Sequence, residues 1–215
     1  GPGAMYRKKV LEKIREICHI NVERQYRILN EIMFPEMERQ GIHFLRRRDW
    51  TAEQLAWVRE YFEEKVVPVI SPIGLDPAHP FPRLVNKSLN FIVELDGKDA
   101  FGRETGMAII PAPRSLPRLI RMPDELSDGG DNLIFLSSII HQFADELFPG
   151  MKVKGCFQFR LTRNADLEVD SDDIGVDLAG ALRTELQSRH YGSSVRLEIA
   201  ENCPLHIVDS LLKQF

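Results

Sequence analysis

The stretch SLNFIVELDG, residues 88–97, decides the fold class. Its positions alternate with the period of two that marks a strand with one buried face, and the inward set is predicted to be Leu89, Phe91, Val93 and Leu95. Asp96-Gly97 ends this strand at a turn, so TGMAIIPAP, residues 105–113, is predicted to return antiparallel. An antiparallel pair at this point indicates a sheet that is antiparallel or mixed.

The segments around this pair alternate between strand and helix patterns. Further strands are predicted at VVPVI (66–70), NLIFL (132–136) and SVRLEIA (194–200), with an extended sheet-edge segment at SLPRLIRMP (115–123). Helices are predicted within residues 137–150, from Ser171 to about His190, and as a short closing helix in residues 204–215. Six or seven strands, mostly joined by turns and interrupted by helices, predict an α+β domain with packed helices.

The stretch KGCFQFRLTRNADLEVD, residues 154–170, predicts a hairpin with a defined register. Phe157, Phe159 and Leu161 share one face of a strand, and pairing Leu161 with Leu167 keeps the apolar residues of both strands on that face. This register places Arg160 opposite Glu168, pairs Phe159 with Val169, and leaves a loop of three or five residues around Asn164.

Two helices are predicted ahead of the sheet, as a helical hairpin in a separate lobe. Apolar residues recur at gaps of three or four from Val10 to Arg39, although Pro35 is expected to bend or interrupt the last turns. Thr51 and Gln54 form a capping-box pattern that opens a second helix, with a buried stripe at Leu55, Val58 and Phe62. The predicted organisation is an expression remnant at residues 1–4, the two-helix segment at 5–66 and the α+β domain at 67–215.

Composition excludes several classes of protein. The formal net charge of -4 offers no global basic field for nucleic acid or an anionic membrane, so any anion site must be local. The three cysteines fit neither a disulfide framework nor a zinc knuckle, which is typical of a cytoplasmic protein. No apolar run reaches the length of a membrane span, and no leader pattern opens the chain.

No complete active site is visible in the residues. The chain has no glycine-rich phosphate loop, no metal-binding helix motif and no nucleophile elbow. His79 stands near Asp76, but their loop offers no nucleophile, and His141 has no second ligand at metal spacing. We therefore predict no catalytic residue and no metal ligand. A hydrolase that depends on His79 and Asp76 is a weak alternative.

Five blocks in order resemble the middle region of the polyphosphate kinases of the first class. They are SPIGLDPAHPFPRLVNKSLNF (71–91), LPRLIRMP (116–123), LFPGM (147–151), FRLTRNADLEVD (159–170) and SVRLEI (194–199). The resemblance extends from about Met5 to the last residue: the opening helices are similar to the end of that family's N-terminal helical domain, and Ile70 onward is similar to its head domain.

This resemblance implies an enzyme that reversibly transfers the γ-phosphate of ATP, with magnesium, to inorganic polyphosphate through a phosphohistidine. The family's phosphorylated histidine and ATP-handling residues belong to two C-terminal phospholipase D-like domains, which would be this segment's partners. No family catalytic or cofactor-binding residue can be assigned here, so the 215-residue chain is expected to be inactive alone.

The resemblance also implies that the head domain helps to form an oligomer and walls part of the path of polyphosphate. Candidate anion-binding or interface residues are His79, Arg83, Lys87, Arg118 and Arg163. The four prolines of residues 71–82 restrict the backbone, as suits a rim or a subunit contact. The alternative is a stand-alone polyanion-binding module, which would bind more weakly as salt rises.

Overall fold

The computed structural model of the protein describes residues 2–98, 102, 106–164 and 194–215. The chain forms two compact units, one of Gly1–Trp50 with Leu119–Phe135 and the other of Thr51–Arg118 with Leu136–Phe215. This division differs from the predicted lobes, because the second helix groups with the larger sheet. The domain boundary between residues 66 and 67 stays a prediction.

The described residues contain five α-helices and eight strands. The helices are α1 (Pro2–Ile28), α2 (Phe34–Arg39), α3 (Ala52–Tyr61), α4 (Leu136–Gln142) and α5 (Leu205–Leu212). The strands are β1 (Ile42–Phe44), β2 (Ile73–Leu75), β3 (Leu89–Gly97), β4 (Met107–Pro111), β5 (Leu119–Arg121), β6 (Asp131–Phe135), β7 (Met151–Arg163) and β8 (Ser194–Ile199). No helix among these residues is both long and apolar enough to span a bilayer.

In the first unit, α1 runs into α2 through a π-helical turn at Leu29–Met33. Pro35 has no amide hydrogen for the carbonyl four residues earlier, and the helix widens just before it, which confirms the predicted interruption. Gly41, with φ of 80°, lies just beyond the end of the helix. β6 is then the central strand of a three-stranded sheet, parallel to β1 and antiparallel to β5, so the SLPRLIRMP segment does supply an edge strand.

The second unit contains a five-stranded sheet in the order β2-β4-β3-β7-β8, with every neighbouring pair antiparallel. The predicted antiparallel return of β4 beside β3 is confirmed, and Phe91 pairs with Ile110. Together with the helices, the two sheets confirm the α+β fold class.

β3 is buried on both faces, whereas the sequence predicted one buried face. Ile92, predicted to face outward, is fully buried in a cluster with Ile207 and Leu211 of α5. On the opposite face, Phe91 stacks on His141 of α4, whose Nε2 donates a hydrogen bond to the Cys156 carbonyl oxygen at 2.8 Å. The prediction failed because helices cover both faces, and alternation is lost in strands that are buried on both sides.

α3 begins with the predicted capping box, in which the Gln54 amide donates to Thr51 Oγ1 at 3.1 Å and the Gln54 side chain accepts from the Thr51 amide at 3.0 Å. Val58 and Phe62 are buried as predicted, and the Phe62 ring lies 4.9 Å from that of Phe143. Leu55 was predicted to be buried but is 36% exposed. Gln54 takes a buried position instead, because its side chain turns back to cap the helix.

VVPVI was predicted to be a strand but is helical. It is the end of a π-helical turn at Phe62–Val66 followed by a 3₁₀ turn at Val67–Val69, and the short strand β2 begins only at Ile73. Burial of Phe62 and Val66 at the end of the helix outweighs the weak strand preference of valine.

The hairpin predicted for residues 154–170 is tested only in its first strand. Phe159 and Leu161 share a face of β7 as predicted, but residues 165–193, which include the predicted partner strand and the helix ending near His190, lie outside the described residues. At Arg160 the two ladder partners are Leu89 of β3 and Glu198 of β8. The predicted pairing of Arg160 with Glu168 is therefore wrong, because both neighbours of β7 at this position are other strands, and sequence spacing alone favoured the nearer partner.

Candidate functional site

Three of the five candidate residues, Arg83, Lys87 and Arg163, belong to segments at one end of the five-stranded sheet, whereas the Arg118 carbonyl oxygen accepts the amide of Leu136 at the start of α4. At this end β4 finishes, β3 begins, β7 finishes and β8 begins. The register fixes the arrangement, since Asn90 pairs with Pro111 and Leu89 pairs with Arg160. We call this region the basic end and define it by Arg83, Lys87 and Arg163.

Arg163 is tied to the segment that carries Arg83 and Lys87. Its amide donates to Asn86 Oδ1 at 2.8 Å, and its Nε donates to the Leu84 carbonyl oxygen at 2.9 Å. The Lys87 amide in turn donates to the Leu161 carbonyl oxygen at 2.8 Å. Lys87 has φ of 58°, a left-handed conformation that turns the chain into β3. These bonds bring together three cations that are up to 80 positions apart in sequence.

Arg118 follows β4 and has a second arginine beside it. The Ala112 amide donates to the Leu89 carbonyl oxygen at 3.0 Å, which attaches the segment after β4 to the start of β3. Burial lowers the pKa of Arg118, and the positive charge of Arg114 lowers it further. Sequence reasoning missed Arg114. It could have been found from the sequence, because it lies four positions before Arg118 and each of the two arginines directly follows a proline.

A second group of charges lies on β7 and β8. Arg160 donates to both carboxylate oxygens of Glu198, from Nε at 2.8 Å and from Nη2 at 2.9 Å, and Arg196 Nη2 donates at 3.4 Å. The Arg160 hydrogen bond is the main cause that lowers the pKa of Glu198, and the charges of Arg160 and Arg196 add to it against partial burial. Arg196 was also missed, although the alternation in SVRLEI puts it on the same face as Glu198.

His79 does not lie at the basic end. It follows β2 in a turn where its Nδ1 lies 3.0 Å from Asp76 Oδ2, and the Ala78 amide donates to Asp76 Oδ1 at 2.9 Å. Leu75, which is the last residue of β2 and directly precedes Asp76, pairs with Met107 at the other end of β4. The His79 side chain is 76% exposed, so this pair is a surface turn that does not contribute to the cation group.

A cavity of about 640 Å³ lies between this turn, β2 and α5. Its walls are mainly apolar, and its polar residues are Asp76, His79, Ser210 and Gln214. A serine thus shares the cavity with a histidine–carboxylate pair, but within the described ranges no hydrogen bond joins Ser210 to His79. The described residues also contain no cluster of three or more metal-ligating side chains. This arrangement lacks the activated nucleophile that a hydrolase needs.

Comparisons of this chain with a family profile, with curated relatives and with a solved structure all point to the same family. The family profile of the polyphosphate kinase middle domain matches residues 53–215. Polyphosphate kinases of Pseudomonas syringae pv. tomato and Pseudomonas aeruginosa are 61% and 60% identical over 215 residues. The crystal structure of polyphosphate kinase from Porphyromonas gingivalis superposes with a TM-score of 0.75 at 23% identity and covers 98% of this chain.

The match is to one part of much longer proteins. This chain spans 29% of the P. syringae protein, 31% of the P. aeruginosa protein and 29% of the P. gingivalis chain. The profile covers about three quarters of the chain, including the whole five-stranded sheet, α4, α5 and all but the first residue of α3. The chain therefore belongs to the polyphosphate kinase family, of which it represents the middle domain.

Proposed function

We propose that this chain is a non-catalytic part of an enzyme that reversibly transfers the γ-phosphate of ATP to inorganic polyphosphate. Its own role is to shape the path of polyphosphate and to support assembly of the enzyme. The cation group at the basic end carries this proposal, because it gives an acidic chain a local site for a polyanion. ATP and magnesium would be handled by catalytic domains elsewhere in the same polypeptide, in the cytoplasm.

The arrangement of charge supports a role in polyanion contact. Within the described part of the chain, no carboxylate forms an ion pair with Lys87, Arg114 or Arg118. Arg114 and Arg118 lie close enough to repel each other, and an anion of high charge density relieves such repulsion. Guanidinium groups also match phosphate oxygens in geometry.

The role in assembly is supported by the loop that precedes β3. Residues 71–82, which contain β2, include four prolines; the loop that follows β2 begins with a turn at Asp76 and carries three of them, of which Pro77 and Pro80 are exposed. Restricted backbone lowers the entropy lost when such a loop is ordered against another surface. We expect this loop to form part of the contact between subunits in a homo-oligomer of the longer protein. Deleting the loop from a full-length relative and finding unchanged assembly and chain elongation would oppose this role.

The polyphosphate contact can be tested by titration. The 215-residue chain is titrated with a polyphosphate of defined length at about 50 and about 200 mM salt. We expect binding at low salt that weakens strongly at high salt, because phosphate contacts release counterions. Absence of binding at low salt would contradict direct contact and leave assembly as the role of this segment.

The alternative is a polyanion-binding module that works independently of catalysis. Lys87 and Arg118, which form no ion pair with a described carboxylate, favour binding under both proposals, so the two proposals differ only in the intact enzyme. Replacing both residues in a full-length relative is expected to slow polyphosphate elongation if these cations lie on the path. Unchanged elongation with weakened binding would favour the independent module.

A further inference from the structure

We propose that the cavity between β2, the loop after β2 and α5 binds a small uncharged aromatic compound that carries an amide or hydroxyl group. The cavity belongs to the larger sheet unit, and among its described walls none is formed by Arg83, Lys87 or Arg163 of the basic end. The inference therefore goes beyond the proposed polyphosphate contact and does not depend on it.

The size and depth of the cavity suit a small molecule. Its volume of about 640 Å³ falls within the range of roughly 300–1,000 Å³ that is usual for ligand sites. Ile92 of β3 and Leu211 of α5 line it and are 0% and 1% exposed, so the cavity extends to the hydrophobic core. An apolar compound that displaces water from these side chains is stabilised by the hydrophobic effect.

Part of the wall is held in place by an aromatic contact and by prolines. The Phe81 ring lies in the wall and meets the ring of Phe215 edge-to-face, with 5.2 Å between the ring centroids. Pro77, Pro80 and Pro82 also line the cavity, and their fixed φ restricts the loop. A wall that is already ordered lowers the entropic cost of binding, and an aromatic side chain in the wall favours a ligand with an aromatic ring.

Two uncharged polar side chains of the cavity come from the C-terminal end of α5. Ser210 and Gln214 are four positions apart, both line the cavity, and neither side chain forms a hydrogen bond with another described residue. A serine hydroxyl and a glutamine amide each donate and accept hydrogen bonds. An amide or hydroxyl group on the ligand therefore finds matching partners at these two residues.

The charges around the cavity disfavour an anion. The ionisable side chains in its described walls are Asp76 and His79, and Asp76 Oδ2 lies 3.0 Å from His79 Nδ1, so any positive charge on the imidazole is already compensated. No lysine or arginine is part of these walls. α5 ends at Leu212, and the C-terminal end of a helix carries partial negative charge. A carboxylate or phosphate would lose its hydration without gaining a cation.

The first test compares naphthalene-2-carboxamide with naphthalene-2-carboxylate, which has the same rings but a negative charge. Each is titrated into the 215-residue chain at neutral pH and followed by ligand-observed NMR. We expect the amide to bind with a dissociation constant of about 1 mM or lower, as is usual for a compound of this size, and the carboxylate to bind at least about tenfold more weakly. Tripolyphosphate should not displace the amide.

The second test places the site by substitution. Ser210→Phe puts a ring into the cavity and is expected to weaken binding of the amide at least about tenfold. Leu212→Phe is the matched control, because it puts the same ring at a position of the same helix that is 55% exposed and does not line the cavity. Ser210→Ala keeps the shape of the cavity and removes only the hydroxyl, so it should weaken binding about threefold to tenfold even if the larger variant fails to fold.

Three results would overturn the proposal. They are no binding of the amide by wild type, binding of the carboxylate as tight as that of the amide, and unchanged binding in Ser210→Ala together with any folded Ser210→Phe. Each of these results leaves the proposed polyphosphate contact standing, because that contact involves none of the residues that line the cavity.

Discussion

Gly130 occupies a position where two backbones meet in the smaller unit. It has φ of 75°, and a Cβ added to it would collide with the carbonyl oxygen of Gly41. That oxygen accepts the amide of Asp131 at 2.8 Å, where the parallel pairing of β1 with β6 begins. A side chain at residue 130 would therefore push apart the start of this ladder.

We predict that Gly130→Ala lowers the free energy of unfolding by more than about 2 kcal/mol, because it adds a backbone collision to the strain of positive φ. The measurement is denaturant unfolding. Gly129→Ala is the matched control: it also has positive φ, but a Cβ there would meet nothing within 4 Å, so it should cost only about 1 kcal/mol. Equal losses in the two variants would show that the close approach is unimportant.

Glu198 links stability to pH through Arg160. Its folded-state pKa is lowered, so its stabilising effect is present above the unfolded value of about 4.3 and is lost as pH falls through the folded value. We predict that Glu198→Gln destabilises the chain by about 1 kcal/mol at pH 7, a modest effect because the Arg160 side chain is 48% exposed. The difference from wild type should shrink below about pH 4. Urea unfolding across this range measures it.

Glu201→Gln is the control for this prediction, since Glu201 is exposed and forms no ion pair among the described residues. Its stability should differ little from wild type at any pH. A difference between wild type and Glu198→Gln that stays constant from pH 7 to pH 3 would contradict the role assigned to the Arg160–Glu198 pair.

At the scale of elements, α5 stabilises the sheet by covering one of its faces. Leu211 is 1% exposed and packs in the cluster that contains Ile92 and Phe159, while the next residue, Leu212, is 55% exposed. We predict that Leu211→Ala costs about 2–4 kcal/mol and that Leu212→Ala costs less than about 0.5 kcal/mol. Thermal or denaturant unfolding of both variants checks this. Similar losses would mean that α5 does not hold its position through Leu211.

Element type was predictable where the pattern was local. The antiparallel return of β4, the break at Pro35 and the Thr51 cap each depend on a few neighbouring residues, and all three are observed. The burial of Ile92 was not predictable, because it depends on α5, more than 100 positions later in the chain. The helical form of VVPVI likewise depends on tertiary burial of Val66, which outweighs the local preference.

The candidate site was predictable only where its residues are close together in sequence. Arg83 and Lys87 are near neighbours in sequence, and the resemblance drew attention to their segment. Arg163 joins them only through the pairing of β7 with β3, which composition and spacing do not specify. His79 was included because of its unusual loop, but the register of β2 places that loop toward the other end of β4.

At the scale of the whole molecule, the chain should lack kinase activity of its own. The described residues contain no cluster of three or more metal-ligating side chains, and the chain spans about 30% of its curated relatives. We predict that the purified 215-residue chain forms no polyphosphate from ATP with magnesium, while a full-length relative does so under the same conditions. Synthesis of long phosphate chains by the chain alone, after removal of contaminating enzyme, would refute the proposed division of labour.

The central place of β3 also has a consequence for biogenesis. β3 is complete at residue 97, but its neighbour β7 begins only at residue 151 and α5, which covers Ile92, only at residue 205. At translation rates of about 5–20 residues per second, the apolar faces of β3 remain uncovered for several seconds after the strand is made. The nascent polypeptide thus exposes an apolar strand that needs cover on both faces while synthesis continues, and a chaperone that binds apolar segments would act in this interval.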